Sequence, residues 1–179
     1  LKRLEKNGYA DICISVNQSR ILFYKADYLN EIQRIIHKYH CDPSRIILEV
    51  TEGITMDNLD EMKVLVRELH KMGFAVSMDD FGSGYSSLNI LKELDIDELK
   101  LDRVFLSDTA EKEKRDIIMK NIITLARELQ ITTVTEGVED ATQAEFIHSI
   151  HCDIGQGYYF AKPVPEDAFE LFIAGKTEE

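Results

Sequence analysis

Short apolar runs of β character alternate with amphipathic stretches along the 179 residues. Leu1 and Leu4 share one face of an opening helix that stops at Asn7-Gly8, so the chain reads as starting inside a helix and is expected to belong to a longer one. Asp11-Ile12-Cys13-Ile14-Ser15-Val16 predicts a strand ending at Asn17. A helix over 27–39 follows, with Asp27 as cap and Leu29, Ile32, Ile35, Ile36 and Tyr39 at helical spacing. Arg45-Ile46-Ile47-Leu48 leads to Glu49, with Val50-Thr51-Glu52 just beyond. The helix predicted at 57–72 turns Leu59, Met62, Leu65, Val66 and Leu69 inward and stops at Gly73. The apolar run Phe74-Ala75-Val76-Ser77-Met78 ends in Asp79-Asp80, and a short helix passes through Leu88, Leu91 and Leu94. The run 97–101 ends at Asp102. A helix over 111–129 uses Ile118, Ile122, Leu125, Ala126 and Leu129, and Ile131-Thr132-Thr133-Val134-Thr135 ends at Glu136. Asp140 with Gln143 resembles a capping box for a helix through Phe146 and Ile150. Two β-like pieces flank Gly155-Gln156-Gly157, the second being Tyr158-Tyr159-Phe160. Pro163 and Pro165 introduce a last helix near Phe169 and Phe172, and the tail 176–179 is expected to fray.

This alternation argues for an α/β protein with a parallel sheet, and nothing in it divides the 179 residues into more than one domain. The polar residues add a second regularity. Asn17, Glu49, Asp79, Asp102 and Glu136 each close a strand-like run, at separations of 32, 30, 23 and 34 residues, about one βα unit each. In a parallel βα barrel such strand ends share one rim, where enzymes of that architecture build their sites.

Charge narrows the chemistry. Acidic residues outnumber basic ones 33 to 21, a net charge of -12, which disfavours nucleic-acid polymers and anionic lipid surfaces as partners. An anionic ligand would need a cation between it and this chain. Cys13, Cys41 and Cys152 form no C-x-x-C pair and suit a reducing cytoplasm. No apolar run approaches the length of a membrane span, and no signal-peptide pattern opens the chain.

The strand-end residues carry the candidate chemistry. Two adjacent carboxylates repel one another, and a divalent cation removes that objection; the plain alternative is a solvated acidic turn before Gly82-Ser83-Gly84. A lone Asn or Asp after a strand is often a turn or cap residue, whereas Glu49 and Glu136 start no obvious helix. Lys100 and Asp102, two apart, face the same way: Lys100 either neutralises Asp102 or orients a water. Gln156 between two glycines is either a turn residue or a ligand contact.

Val16-Asn17-Gln18-Ser19, Leu48-Glu49-Val50-Thr51-Glu52, the stretch from Asp79-Asp80-Phe81-Gly82 to Tyr85-Ser86-Ser87, Leu99-Lys100-Leu101-Asp102-Arg103, Thr135-Glu136-Gly137-Val138-Glu139 and Gly155-Gln156-Gly157-Tyr158-Tyr159-Phe160 with Lys162-Pro163 resemble, in order and spacing, the EAL-domain cyclic-di-GMP phosphodiesterases. The resemblance implies a TIM-like (β/α) barrel that hydrolyses cyclic di-GMP to linear pGpG with two Mg²⁺ or Mn²⁺ ions, Ca²⁺ being inhibitory. It further implies Asn17, Glu49, Asp79, Asp80 and Glu136 as metal ligands, with Asp79 shared. Lys100 matches the residue that holds the hydrolytic water, Asp102 a supporting acid, and Gln156 a residue near the substrate. Glu52 resembles the glutamate bracing the loop after the Asp pair, a loop the family associates with homodimers and metal control. An upstream regulatory or GGDEF-like domain is the expected companion.

One feature departs from that family. The Glu-Ala-Leu motif that names it belongs on a first strand upstream of these motifs, and the sequence contains no Glu-Ala-Leu. The barrel is therefore expected to be incomplete at the N-terminus and this piece to turn over weakly or not at all. The alternative function is a silent module that binds cyclic di-GMP or a protein partner.

Overall fold

The computed structural model describes residues 1–19, 22, 25–51, 53, 59–82, 88–107 and 112–175. In chain order the elements are α1 (Lys2–Lys6), β1 (Ile14–Asn17), α2 (Tyr28–Tyr39), β2 (Ile46–Thr51), α3 (Leu59–Lys71), β3 (Ala75–Phe81), α4 (Leu88–Glu93), β4 (Glu98–Leu101), α5 (Lys112–Glu128), β5 (Thr132–Thr135), α6 (Ala141–Ser149), β6 (Ile154–Gly155) and α7 (Glu166–Ile173). The six strands pair in parallel, in sequence order from β1 to β6, a curled part-barrel in which each helical crossover returns the chain to the next strand.

Register and burial assign the faces. Leu48, Val50, Val76, Met78, Leu99 and Leu101 point outward into a core shared with Met62, Val66 and Leu69 of α3 and Met119, Ile123 and Ala126 of α5. Alternate residues of the same strands, among them Glu49, Ser77, Glu98 and Lys100, therefore face the barrel interior. Each outward Leu or Val gains about 1.5–3 kcal/mol from burial. A one-residue slip would exchange that row for the charged one, so the apolar side chains hold the register that places the charges. At the N-terminal strand ends two carboxylates lock neighbouring strands: Asp97 Oδ2 accepts from Val76 N at 2.7 Å, and Asp153 Oδ2 accepts from Thr133 N at 2.8 Å. Arg3 of α1 meets Asp167 at 2.7 Å and Glu170 at 2.6 Å, bringing first and last helices together.

Several expectations are corrected. Glu49 and the Asp pair lie inside their strands, not after them, because Val50 and Phe81 still have core to enter. Asp27 precedes α2 but makes no side-chain cap bond; its Oδ1 accepts from Asn30 Nδ2 instead. Ile35, Tyr39, Ile118 and Leu129 are exposed, since each lies at the edge of its helix's apolar stripe. Tyr158-Tyr159-Phe160 is no strand: Phe160 N and Ala161 N both donate to Gly157 O, a turn. Asp140 does cap α6 through Gln143 N at 2.9 Å, while Gln143 Oε1 reaches back to Glu139 N at 2.7 Å. The tail 176–179 lies outside the described residues. Among the described residues no helix is long and apolar enough to cross a membrane.

Candidate active site

The C-terminal ends of β2 to β5 bring three of the sequence-marked carboxylates together around one ammonium. Lys100 Nζ lies 2.9 Å from Glu49 Oε1, 3.0 Å from Asp79 Oδ1 and 2.6 Å from Glu136 Oε1. The strands place these groups directly. Glu49 is level with Ser77, Asp79 is two residues on along the same inward row, and Glu136 continues β5, its N–H donating to Leu101 O at 2.9 Å.

Asp80 reaches this side by a different device. Adjacent strand residues normally point to opposite faces, which would send Asp80 into the core. The pairing of β3 with β4 instead runs from Met78↔Leu99 to Phe81↔Leu101, so Asp79 and Asp80 together oppose Lys100. This is a β-bulge, and Asp80 absorbs the extra residue in the left-handed region, at φ +58°. Oxygens of Asp79, Asp80 and Glu136 consequently lie within 4.8 Å of one another.

Burial and like charge set the electrostatics. Burial holds the Glu136 carboxyl above its ordinary range, against the pull of Lys100. Asp80 is likewise raised, by burial and then by the charges of Asp79 and Asp102. Burial disfavours the Lys100 ammonium, but its bonds to Glu136, Glu49 and Asp79 outweigh it and hold the amine protonated. One cation thus faces the three carboxylates of Glu49, Asp79 and Glu136, with Asp80 close to two of them. Asp79 Oδ1, buried and in charge contact with Lys100, receives no well-angled hydrogen bond among the described residues. An acidic, partly dehydrated set of hard oxygen donors with an under-used buried atom fits a divalent cation of the Mg²⁺ or Mn²⁺ type.

The other sequence-marked residues stand around this centre. Asn17 is level with Glu49 on β1 and exposed. Gln156, also exposed, follows the Thr135↔Gly155 pair as Glu136 does, and its N–H donates to Thr135 O at 2.8 Å. Lys100 does not pair with Asp102: Asp102 Oδ1 accepts from Val104 N at 2.7 Å and caps the turn Arg103–Leu106. Glu52 and the loop 83–87 lie outside the described residues. Two inward groups had not been singled out, Ser77 and Glu98. Each stands two residues before a marked one, Asp79 or Lys100, and that spacing was the available signal. A cleft of about 1000 Å³ lies between the turn after β4 and the starts of α5 and α6, with Asp102, Arg103, Gly137 and Gln143 among its walls and none of the cluster's residues lining it.

A parallel βα barrel-type sheet whose C-terminal rim gathers carboxylates around a buried lysine defines a class of barrel proteins with an acidic rim site. Within that class the chain belongs to the EAL domain family, which matches residues 1–163. It is 38% identical over 167 residues to the bifunctional diguanylate cyclase/cyclic di-GMP phosphodiesterase MucR of Pseudomonas aeruginosa, covering 93% of this chain and 24% of that protein. It is 35% identical over 173 residues to the cyclic di-GMP phosphodiesterase NbdA of the same organism, covering 97% of this chain and 22% of the relative. The chain thus spans about a quarter of the length of these curated relatives. Among solved structures, the PaMucR phosphodiesterase in complex with c-di-GMP superposes with a TM-score of 0.88 at 36% identity, over 94% of this chain and 68% of that one. The EAL domain of Mycobacterium smegmatis DcpA gives 0.90 at 27% identity, over 99% and 80%.

Proposed function

We propose that this chain carries the hydrolytic site of a cyclic-di-GMP phosphodiesterase, cleaving the cyclic dinucleotide to linear pGpG. The observation that carries the reading is the bulge that turns both Asp79 and Asp80 toward Lys100, Glu49 and Glu136. Such an arrangement concentrates negative charge at the rim. The relatives named as cyclic di-GMP phosphodiesterases support the substrate.

Asn17, Glu49, Asp79, Asp80 and Glu136 would hold two Mg²⁺ or Mn²⁺ ions, with Asp79 between them. When bound, such ions supply Lewis acidity, lowering the pKa of water and balancing charge on the phosphodiester. Lys100, held protonated, donates to the attacking water and keeps its lone pair turned toward phosphorus. Glu136, whose proton affinity burial raises, is suited as the carboxylate to accept the proton released as that water attacks. Asp102 shapes the adjoining turn and Gln156 contacts the substrate at the rim. The chain is expected to work as a homodimer. The 179 residues act as one domain of a longer cytoplasmic signalling protein with an upstream regulatory or GGDEF-like part.

Turnover by the 179 residues alone is expected to be weak, since among the described residues the pairing order from β1 to β6 leaves an open edge on each outer strand. The same open edges favour the second reading, a module that binds cyclic di-GMP without cleaving it. Incubation with cyclic di-GMP and Mn²⁺, with pGpG followed by chromatography and binding followed by calorimetry in Ca²⁺, separates the two. Slow pGpG formation that Glu49→Gln and Asp79→Asn abolish supports hydrolysis. Tight binding with no pGpG supports the module, and neither binding nor cleavage defeats both.

A further inference from the structure

Asp80 contributes to the acidic cluster only by holding a backbone conformation that an ordinary side chain resists, at a cost of about 1–2 kcal/mol. Such strain persists where the surroundings over-determine it. On the strand side the determinants are plain: Met78 and Phe81 are buried in the outer core on either side of the bulge, and Asp102 N donates to Phe81 O at 3.2 Å. The other side of Asp80 continues through Gly82, also at positive φ, +98°.

The ring of Phe105 covers Gly82. A Cβ built there would meet Phe105 Cε2 at 2.1 Å and Cζ at 2.5 Å, so that edge of the ring occupies the space beside the glycine and excludes any side chain. Phe105 is itself aimed from below. It belongs to the turn Arg103–Leu106 that Asp102 caps through Val104 N, its own N–H donates to Asp102 O at 3.1 Å, and its side chain packs on the hydrophobic core. The chain of contacts therefore runs from the end of β4 through Asp102 and Phe105 to Gly82 and back to the bulge.

We infer that Phe105 is a positioning residue for the acidic cluster: by clamping Gly82 it keeps Asp80 left-handed, with its carboxylate beside Asp79 and Glu136. The consequence for cations rests on the metal-site reading above, whereas the clamp itself does not.

The test uses the whole chain with Phe105→Ala, and Phe105→Leu should the first fail to fold. Mn²⁺ affinity is measured by calorimetry, and amide exchange is followed over 79–82 and over β5. A supporting contact behind a metal ligand is worth about 10–100-fold in affinity, so a loss of about tenfold is expected. Exchange at 80–82 should quicken while β5 stays protected. In an Asp80→Asn background Phe105→Ala should weaken binding no further, because it acts through that carboxylate. Unchanged Mn²⁺ affinity in a folded variant, or losses that add to those of Asp80→Asn, would overturn the inference. If the wild-type chain takes up no Mn²⁺, the metal reading falls separately, and exchange at 80–82 decides the clamp alone: faster supports it and unchanged refutes it.

Discussion

Replacing Lys100 by Met removes one charge and little volume from the centre of the site. In the native chain its side chain is 6% exposed, against side chains of Glu49 and Asp79 that are 5% and 11% exposed. Removing one partner of a buried pair costs about 3–5 kcal/mol, because the other charge stays behind unpaired. Here three carboxylates would stay behind. With a urea m-value of about 2 kcal/mol/M, a loss of about 4 kcal/mol moves the midpoint down by about 2 M at pH 7.5 without metal. Two further effects identify the cause. Protonating a carboxylate compensates for the missing ammonium, so the deficit should shrink at pH 5. A divalent cation competes with Lys100 for Glu49, Asp79 and Glu136, so Mn²⁺ should raise the midpoint more in Lys100→Met than in the wild type. Saturating a site a hundredfold above Kd contributes about 2.7 kcal/mol. Paired urea titrations at both pH values, with and without Mn²⁺, measure all three. A midpoint shift below about 0.5 M, a deficit equal at both pH values, or a smaller Mn²⁺ gain in the variant would refute the assignment of Lys100 as the charge that the cluster depends on.

Three further outcomes follow from individual contacts. Burial raises the folded-state pKa of Glu136, Asp80 and Glu98. The unfolded chain therefore sheds these protons first, and their share of metal-free stability is greatest below the ordinary carboxyl range of about 4 and falls as pH climbs through the raised values. Glu98→Gln should flatten that slope in urea titrations from pH 4 to 7.5, and an unaltered slope would remove Glu98 from the account. Gly157→Ala puts a Cβ 2.2 Å from Val138 O and 2.3 Å from Val138 N, rigid backbone atoms that carry the bonds between the turns after β5 and β6. It should cost about 3 kcal/mol in the same assay, while Gly53→Ala, with nothing within 4 Å among the described residues, stays near wild type. Asp102→Asn keeps a capping oxygen for Val104 N, so it should preserve stability and Mn²⁺ affinity; a drop as large as that of Asp102→Ala would mean that the charge, not the cap, matters.

Much of the architecture was legible because period and polarity agree along the chain. Leu59, Met62, Val66 and Leu69 mark one helical face, and they are the residues of α3 that meet the sheet. Glu49, Asp79 and Glu136 were recognisable as a set by their βα spacing, and Lys100 draws them together. What stayed illegible concerns orientation. Buried parallel strands read as continuous apolar runs, so nothing in Arg45-Ile46-Ile47-Leu48 says that the strand continues past Glu49. Lys100 could be placed on the face of Asp102, yet which acid it would choose depends on strands far apart in sequence. The bulge is the instructive case, because its signal was present. Val76, Met78 and Phe81 all enter the outer core, and the step from 78 to 81 is odd where alternation demands an even one. Keeping both Met78 and Phe81 buried requires one extra residue between them, and the pair occupying that gap is Asp79-Asp80. The apolar residues on either side thus force two adjacent carboxylates onto the rim, so the hydrophobic core builds the acidic site.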